Sequence, residues 1–394
     1  MFTFDFSALE IILLSLAAFA VAALLGLYLP SVVRVSRFAR SQSRYNPAEG
    51  EKLPDVSVIV YANNDAHSLM SLVPALMGQD YAGKFEVIVV NDGSSSETDD
   101  VVSRFQMAYR NLYQTFTPEH TRNLSRKKLS ISIGMKAAKY DYVALVMADS
   151  RVNSDTWLAS MTRHFIRPGK ELVIGYAAPD ESMLTGRGSR LRAFDALVDD
   201  VEYLSQAIIG NPFRGTEYNL AYSKRLFFAN NGFSEFTHLI NGDDDIFVGK
   251  VAKRGLTAVE LSEPSAIQKS TSFPAYFYRD AKLRYMFTSQ FNKNAAHLLT
   301  GFFSLLMWLW LLASVGALAV AATNLVVACI VTALSLALWL PVCFAWRRAS
   351  DVLMSRKVFL SAPFWLLVRP FNTIKYKLRL RAEKESHYTW YSKG

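Results

Sequence analysis

Cysteine is scarce in this chain: its 394 residues include only Cys329 and Cys343. So few cysteines exclude a small secreted scaffold that depends on disulfides, and no CxxC or Cys/His spacing indicates a zinc site. Both cysteines lie in one apolar run, where they are too far apart along a helix to pair. A chain of this length builds an adequate hydrophobic core without disulfides.

Charged residues are also few, at 20% against 51% hydrophobic residues, and this balance excludes a disordered chain. A glycine-rich phosphate loop is missing as well, because Gly186-Arg187-Gly188 lacks a third glycine and follows no clear strand. Its absence argues against a dinucleotide-binding fold. The formal net charge of +9 raises the question of nucleic acid, but the position of the charges indicates otherwise.

The chain contains three long apolar runs, at residues 8–33, 298–322 and 325–345. Each is long enough to cross a membrane as a helix, for which about 20 apolar residues suffice. The first run opens with Asp5 and Glu10 rather than with basic residues, so we interpret it as a retained anchor and not as a signal peptide. Only Thr323 and Asn324 separate the other two runs, which predicts a transmembrane hairpin.

The basic residues flank these runs on one side. Net charge is −2 over residues 1–33, +4 over residues 34–45 and +8 over residues 346–394, which leaves −1 for residues 46–345. The positive-inside rule then predicts a multi-pass protein with residues 34–297 and the tail in the cytoplasm and the N-terminus outside. The charge is therefore a topology signal, and no nucleic-acid partner is expected. The predicted parts are an N-terminal anchor with a basic juxtamembrane segment (1–45), a cytoplasmic domain (46–296), a transmembrane hairpin (297–346) and a basic tail (347–394).

Within the tail, residues 358–368 are apolar but too short to span a membrane, and Pro363 and Pro370 are expected to interrupt them. Five basic residues follow, at positions 369, 375, 377, 379 and 381. This pattern predicts a segment that lies in the cytoplasmic interface, with its basic residues against anionic headgroups of membrane lipids. A solvated basic tail is the alternative.

The cytoplasmic domain alternates short apolar runs, rich in β-branched residues, with amphipathic stretches. The runs are at 56–61, 85–90 and 142–147, and the stretches are at 67–77, 98–109 and 126–138. Runs of this kind are typical of parallel strands buried on both faces, and their order predicts an α/β sheet with right-handed crossovers. Ligands of such sheets bind beyond the carboxyl ends of the strands.

Polar residues follow all three predicted strands. Asn64 and Asp65 follow the first strand, Asp92 the second and Asp149 the third, so three strands each bring a carboxylate to one edge. The alternative is that these residues only cap helices or form turns. This capping or turn alternative is stronger for Asp65 than for Asp92 and Asp149.

The densest acidic cluster is Asp243-Asp244-Asp245, which is followed directly by apolar residues 246–248. Burial and like charge raise the pKa of a carboxyl group toward the range of a general base. A solvated acidic turn is the alternative. Downstream, the basic segment 279–284 precedes the predicted hairpin. A metal-binding carboxylate, a base and a cationic segment together favour transfer from a diphosphate donor.

Five blocks occur in a familiar order: VIVYANNDAHSL, VIVVNDGSSSETDDV, KKLSISIGMKAAKYDYVALVMADS, GTEYNLAYSKRLFFANNGF and NGDDDIFV. With the flanking apolar runs, they resemble the membrane-anchored bacterial glycosyltransferases of family 2. The resemblance implies a GT-A fold, Rossmann-like, with a mixed, mostly parallel sheet. It also implies inverting transfer from a nucleotide sugar, a UDP-sugar being the expected donor, to a lipid-linked or glycan acceptor. The expected location is the bacterial inner membrane, in cell-envelope biogenesis.

The resemblance also implies roles for individual residues. Asp244 is the expected catalytic base, with Asp243 second, and Asp149 is the expected ligand of Mg²⁺ or Mn²⁺. Arg284 is the expected partner of the diphosphate, and its alternative is an arginine that extends to lipid headgroups. The remaining expected contacts are Asn64, Asp65, Asp92 and Asp149 with the donor, and Tyr218, Asn219, Tyr222 and Asp245 on the acceptor side.

Two motifs depart from the family pattern. The DXD motif is Met147-Ala148-Asp149 here, and the QxxRW motif becomes AKLRY, which keeps only Arg284. Two alternatives therefore stay open. One is a processive polysaccharide synthase, and the other is a catalytically lapsed homologue that acts as a membrane scaffold or sugar-nucleotide sensor.

Overall fold

The computed structural model describes residues 6–42, 52–93, 96–118, 124–180, 185–269, 274–292, 294–322 and 324–390. The chain begins with α1 (Ala8–Ala23), a π-helical turn (Leu24–Tyr28) and α2 (Leu29–Gln42), which form one unbroken helix, Ala8–Gln42. Ser7 caps its start, and the Glu10 side chain accepts a hydrogen bond from the Ser7 amide at 2.7 Å. Glu10, the only charge in the first apolar run, is thus used in a capping box.

Within the described residues, ten strands form two sheets. They are β1 (Val56–Ala62), β2 (Phe85–Asn91), β3 (Leu112–Phe116), β4 (Tyr142–Met147), β5 (Ser150–Val152), β6 (Leu172–Ile174), β7 (Ala177–Pro179), β8 (Leu220–Ser223), β9 (Thr257–Val259) and β10 (Ile267–Lys269). The larger sheet has the order β3-β2-β1-β4-β8-β6-β9, and the smaller one has the order β5-β10-β7. In the larger sheet β1, β2, β3 and β4 are parallel, whereas β8 is antiparallel to β4 and β6.

The central strand β1 is buried on both faces. Val58 and Val60 belong to one hydrophobic core, and Ile59 belongs to the other. This two-sided burial explains the continuous apolar run in the sequence. On the Ile59 face a helix approaches closely, because a Cβ at Gly134 would lie only 2.8 Å from Ile59 Cγ2.

In the part of the chain that the structure describes, eight helices accompany the two sheets. They are α3 (Ala66–Met77), α4 (Ser96–Ala108), α5 (Arg126–Ala137), α6 (Trp157–Thr162), α7 (Ser189–Ile208), α8 (Lys224–Ala229), α9 (Ile246–Val251) and α10 (Pro274–Thr288). The predicted strands and the helices between them are confirmed as β1, α3, β2, α4, α5 and β4, with ends that differ from the prediction by at most two residues.

Two long helices follow, α11 (Leu299–Val320) and α12 (Leu325–Val352). With the helix Ala8–Gln42, they are the three described helices that are long and apolar enough to cross a membrane. Helix α1 packs along α11, so the first candidate span lies beside the hairpin.

The tail forms α13 (Ala362–Ala382), and here two expectations were wrong. The prolines do not interrupt the apolar segment. Pro363 lies in the first turn, where no amide hydrogen bond is required, and Pro370 lies inside the helix. The solvated-tail alternative is also wrong, because α13 packs against α7, α10, α11 and α12 and its Arg369 is buried.

Candidate active site

Asp92 lies at the carboxyl end of β2 and is buried among three protein partners. Its carboxylate accepts hydrogen bonds from the Tyr61 hydroxyl at 2.7 Å and the Asn63 side chain at 3.3 Å. Arg126 Nε completes an ion pair at 2.9 Å. The carboxylate that was expected to contact the donor base is thus held by residues of β1, the loop after it and α5.

Asn64 and Asp65 follow β1 at the same edge. Asn64 is exposed and has a φ of 56°, the left-handed conformation that asparagine tolerates better than most residues. Asp65 precedes α3, accepts a hydrogen bond from the Asn63 amide at 2.8 Å, and has a pKa that burial raises. The turn brings both side chains to the carboxyl end of the sheet.

Asp149 lies between β4 and β5, two residues beyond the end of β4. Its Oδ2 accepts a hydrogen bond from the Tyr218 hydroxyl at 3.0 Å. Burial raises the pKa of Asp149 to about 7, against the lowering effect of the Tyr218 hydrogen bond. Asp149 also borders a surface cavity beside α3, so it can be reached from outside the core.

The acidic residues 243–245 are buried, and basic side chains neutralise part of their charge. Asp243 Oδ2 pairs with Lys127 Nζ at 2.7 Å, and Lys127 also contacts Glu217. Glu217 Oε1 pairs in turn with Arg284 Nη1 at 2.7 Å. Burial alone would raise the pKa of Glu217, but Arg284 and Lys127 outweigh it and lower the pKa to about 2. The solvated-turn alternative is therefore wrong for this cluster.

Arg284 lies on α10 with its side chain only 12% exposed. Its guanidinium is directed to Glu217, and the charge of Asp244 also acts on it. The alternative of an arginine extended to lipid headgroups does not hold.

Asp244 occupies the centre of this cluster. Its Oδ2 accepts hydrogen bonds from the Tyr285 hydroxyl at 2.6 Å and from the Glu217 amide at 3.1 Å. Burial, and next the charge of Asp245, raise the pKa of Asp244 to about 7. A carboxyl group with this pKa takes up or releases a proton near neutral pH, as a general base must.

Asp245 has a different position from the one expected. Its Oδ1 accepts the Ile246 amide at 2.6 Å as the N-cap of α9, and its Oδ2 accepts the Thr288 hydroxyl. Both oxygens are therefore used to join α9 to α10. The expected acceptor contact of Asp245 is not supported, because these bonds are structural.

The loop before the triplet is fixed by Lys128 and Gly242. Lys128 Nζ donates to the carbonyl groups of residues 236, 239 and 241 at 2.6–2.9 Å, and burial lowers its pKa to about 8. Gly242 has a φ of +118°, and a Cβ there would lie 2.8 Å from Ile246 Cδ1. These contacts hold the backbone that presents Asp243 and Asp244.

Two further expected acceptor contacts, Asn219 and Tyr222, lie in the core with no exposed surface. Asn219 Nδ2 donates to two buried carbonyl groups, each at 2.8 Å, and its Oδ1 accepts from the indole of Trp157. The Tyr222 ring stacks on Phe227 with 6.0 Å between centroids. An acceptor cannot reach these side chains, so this part of the prediction is corrected. Tyr218 remains beside Asp149.

The fit of a divalent cation rests on Asp149. Within the part of the chain that is described, no group of three His, Cys, Asp or Glu side chains could hold a metal ion. Asp149 has one oxygen engaged by Tyr218, and the residue borders the cavity beside α3. Mg²⁺ is often held by one or two carboxylates together with substrate phosphates and water. The residues present fit that arrangement, with the donor completing the coordination.

Sequence reasoning missed four residues of the site: Glu217, Lys127, Tyr285 and Arg126. Glu217 and Tyr285 lie inside blocks that were singled out, but nothing in those blocks tells a buried pairing residue from a surface one. Lys127 contacts Glu217, which is 90 positions away in the sequence. The sequence of α5 indicates only an amphipathic helix, so it does not single out Lys127.

The mixed, mostly parallel sheet, with acidic residues at the carboxyl ends of its strands, is a GT-A fold. The profile "Glycosyl transferase family 2" matches residues 57–228. An N-acetylglucosaminyltransferase from Bradyrhizobium sp. (strain ANU 289) is 32% identical over 119 residues, which cover 30% of this chain and 72% of that protein. The chain belongs to glycosyl transferase family 2, and it has the GT-A fold.

Other relatives are matched over shorter parts of their length. The poly-beta-1,6-N-acetyl-D-glucosamine synthase of Staphylococcus epidermidis is 24% identical over 108 residues, or 27% of this chain and only 25% of that protein. Among solved structures, the mannosyltransferase PcManGT from Pyrobaculum calidifontis, in complex with GDP-Man and Mn²⁺, is 19% identical with a TM-score of 0.52. That match covers 92% of this chain and 99% of the other, so the fold is shared over nearly the whole chain.

Proposed function

We propose that the protein is an inverting glycosyltransferase that moves a sugar from a nucleotide-diphosphate sugar to a hydroxyl group of a lipid-linked acceptor in cell-envelope glycan or glycolipid synthesis. One observation carries the proposal: Asp244, Glu217 and Arg284 share one hydrogen-bonded cluster. Attack by a hydroxyl group needs a base with a pKa near neutrality, and departure of a diphosphate needs fixed positive charge.

In this proposal Asp244 is the base. Its Oδ2 is held by Tyr285 and by the Glu217 amide, so Oδ1 takes the acceptor proton while the acceptor oxygen attacks the anomeric carbon and the nucleotide diphosphate leaves. A single displacement of this kind inverts the anomeric configuration. Asp243 is the weaker choice, because its carboxylate is already engaged in an ion pair with Lys127.

The leaving diphosphate is stabilised by Arg284 and by a divalent cation. Arg284 is presented by α10 with its side chain 12% exposed, and a guanidinium fork suits a diphosphate. Asp149 would hold Mg²⁺ or Mn²⁺, which neutralises developing charge on the diphosphate. The GDP-Man and Mn²⁺ named for the Pyrobaculum structure support this part of the proposal.

Asn64, Asp65 and Asp92 form the donor side at the carboxyl ends of β1 and β2. We expect a UDP-sugar, and the names of the Bradyrhizobium and Staphylococcus relatives make N-acetylglucosamine the first sugar to test. Because Asp92 is held by Arg126 and Tyr61, we propose that it orders the edge of the nucleotide site. It would accept a hydrogen bond from the nucleobase of the donor only when these two partners shift.

The acceptor is proposed to approach from the membrane. A cleft runs from Ser355, three residues beyond the end of α12, to Tyr285 and Phe277. Tyr285 bonds Asp244, and Phe277 packs on Tyr218, the partner of Asp149. The cleft thus joins the end of a candidate span to both sides of the proposed reaction centre. We therefore propose that the catalytic domain (46–296) faces a membrane, which we expect from the basic flanks of the apolar runs to be the cytoplasmic side of the bacterial inner membrane.

Both alternatives make different predictions about product. A processive synthase would give a ladder of products from one acceptor, and a lapsed homologue would give none. We favour single transfer, because the tyrosine that replaces the tryptophan of QxxRW is engaged by Asp244. We favour activity, because Asp149 and Asp244 both have a pKa suited to ionisation near pH 7.

The test is nucleotide release by the purified full chain with a panel of UDP- and GDP-sugars, Mg²⁺ or Mn²⁺, and lipid extract as acceptor. Asp244→Asn should lower kcat by roughly 10²- to 10⁴-fold, the usual contribution of general base catalysis. Donor binding should survive, because an asparagine accepts the same bonds from Tyr285 and the Glu217 amide. The matched control is Asp155→Asn at an exposed aspartate, which should keep full activity.

Three results would contradict the proposal. They are absence of turnover with every donor, full activity of Asp244→Asn, and loss of donor binding in that variant.

A further inference from the structure

Helix α13 has two distinct faces. One is buried and carries Ala362, Leu366, Arg369 and Tyr376. The other carries side chains that are 52–59% exposed, namely Phe364, Phe371, Ile374 and Leu378. These positions recur every three to seven residues, so they form one stripe along the helix. An exposed stripe of this size indicates a binding surface.

Charge and position indicate what covers this stripe. Four exposed basic residues accompany it: Lys375, Lys377, Arg379 and Arg381. The stripe also continues onto the candidate spans, because Phe371 packs on Trp308 of α11 with 5.3 Å between ring centroids. A helix with large apolar side chains and lysine or arginine, placed next to membrane-spanning helices, fits the surface of an anionic bilayer.

The buried face of α13 makes a network of ion pairs. Arg369 Nε lies 2.5 Å from Asp195 Oδ1 on α7, and its Nη2 contacts Asp199. Lys282 of α10 reaches the other oxygens of both aspartates, at 2.8 and 3.0 Å. Asn372 adds a hydrogen bond of 2.8 Å to the Tyr278 hydroxyl of α10. Two buried cations thus share two carboxylates across three helices.

Helix α10 links this network to the proposed site. Tyr278 and Lys282 face Asp195, whereas Arg284 and Tyr285 face Glu217 and Asp244. Only one residue lies between Lys282 and Arg284 on this helix. A buried charge left without its partner is costly, so a shift of Arg369 moves Lys282 and with it the turn of α10 that carries Arg284.

We propose that an anionic bilayer seats α13 through its exposed stripe and that Arg369 is a positioning residue, which holds α10 so that Arg284 is presented to the donor diphosphate. This inference rests on the proposed function for the role of Arg284. It adds a requirement that neither the sequence motifs nor the site itself contains, namely that the charge of the lipid surface sets the order of α10.

The first experiment measures order directly and does not depend on turnover. Amide hydrogen exchange of residues 274–288 is recorded for the full chain in nanodiscs of phosphatidylcholine alone or with 30% phosphatidylglycerol. We expect exchange at least fivefold slower in the anionic discs. The triple variant Phe371→Ser, Ile374→Ser and Leu378→Ser, which changes only exposed side chains, should lose this difference. Exchange that is equal in both discs would overturn the proposal.

The second experiment measures donor hydrolysis in the same discs. Arg369→Gln should lower kcat about tenfold and remove the dependence on lipid charge, and Arg369→Lys should restore part of both. The matched control is Arg225→Gln, at an exposed arginine of α8 that pairs with Glu171, which should keep the lipid dependence. Because a purely structural role would not respond to lipid charge, lipid dependence that survives in Arg369→Gln would overturn the proposal. If no donor is hydrolysed, the proposed function fails, and the exchange experiment still decides this inference.

Discussion

The sharpest prediction concerns Glu217, which shares its carboxylate between Lys127 and Arg284. Glu217→Gln removes the negative charge and leaves two largely buried cations with one carboxylate fewer. The native pKa of about 2, against 4.5 for a free glutamate, corresponds to about 3 kcal/mol of folding free energy at neutral pH. This magnitude agrees with the roughly 3–5 kcal/mol expected when one partner of a buried pair is removed.

The pH dependence follows from the direction of the shift. Because the folded-state pKa of Glu217 is lowered, its contribution is complete above the unfolded pKa of about 4.5 and is lost as the pH falls through about 2. The difference between wild type and Glu217→Gln should therefore be constant from pH 7 to pH 5. At pH 3.5 it should shrink to about 2 kcal/mol.

The assay is guanidinium unfolding of the full chain in detergent, followed by tryptophan fluorescence at several pH values. The matched control is Glu235→Gln, since Glu235 pairs with Lys250 at 2.8 Å but is 63% exposed. An exposed pair contributes at most about 1 kcal/mol. A difference below 1 kcal/mol for Glu217→Gln at pH 7, or one that does not shrink at pH 3.5, would refute the reasoning.

Two further predictions concern the edges of the site. Tyr218→Phe removes the hydroxyl group that lowers the pKa of Asp149. The acidic limb of the pH–rate profile, which we expect near pH 7, should therefore move to higher pH. If the limb does not move, Asp149 is not the titrating group. Gly242→Ala forces a Cβ onto a backbone with φ of +118° and into Ile246, which should lower the free energy of unfolding by about 1–3 kcal/mol. Its control is Gly255→Ala, where a Cβ meets open space, and equal losses in the two variants would contradict the argument from strain.

Much of the fold could be predicted because it depends on local pattern. The strands β1, β2 and β4 are apolar runs buried on both faces, so composition alone identifies them. The three candidate spans follow from length and hydropathy in the same way. The order of the strands could not be predicted in the same way. Strand β8 lies antiparallel between β4 and β6, and the sequence of β8 itself does not indicate its direction.

The site was predictable only in part. Asp65, Asp92 and Asp149 were located because parallel strands end at a common edge. Asn219 and Tyr222 were misassigned, because the sequence of a motif does not distinguish a polar or aromatic side chain that faces a cleft from one that faces the core. Asp245 was misassigned because three adjacent acids have no individual signature, whereas in the structure one caps α9 and another bonds Tyr285.

By itself, the sequence determined the three apolar spans, the basic flanks, the alternating α/β order and the carboxylates at the strand ends, because each of these depends on neighbours within about 20 residues. Only the tertiary structure decided which charges meet. Lys127, Glu217 and Arg284 come from three distant segments and join in one buried cluster, and Arg369 reaches across 174 positions to Asp195. Burial, which packing alone creates, then turns these pairings into the shifted pKa values on which the proposed chemistry depends.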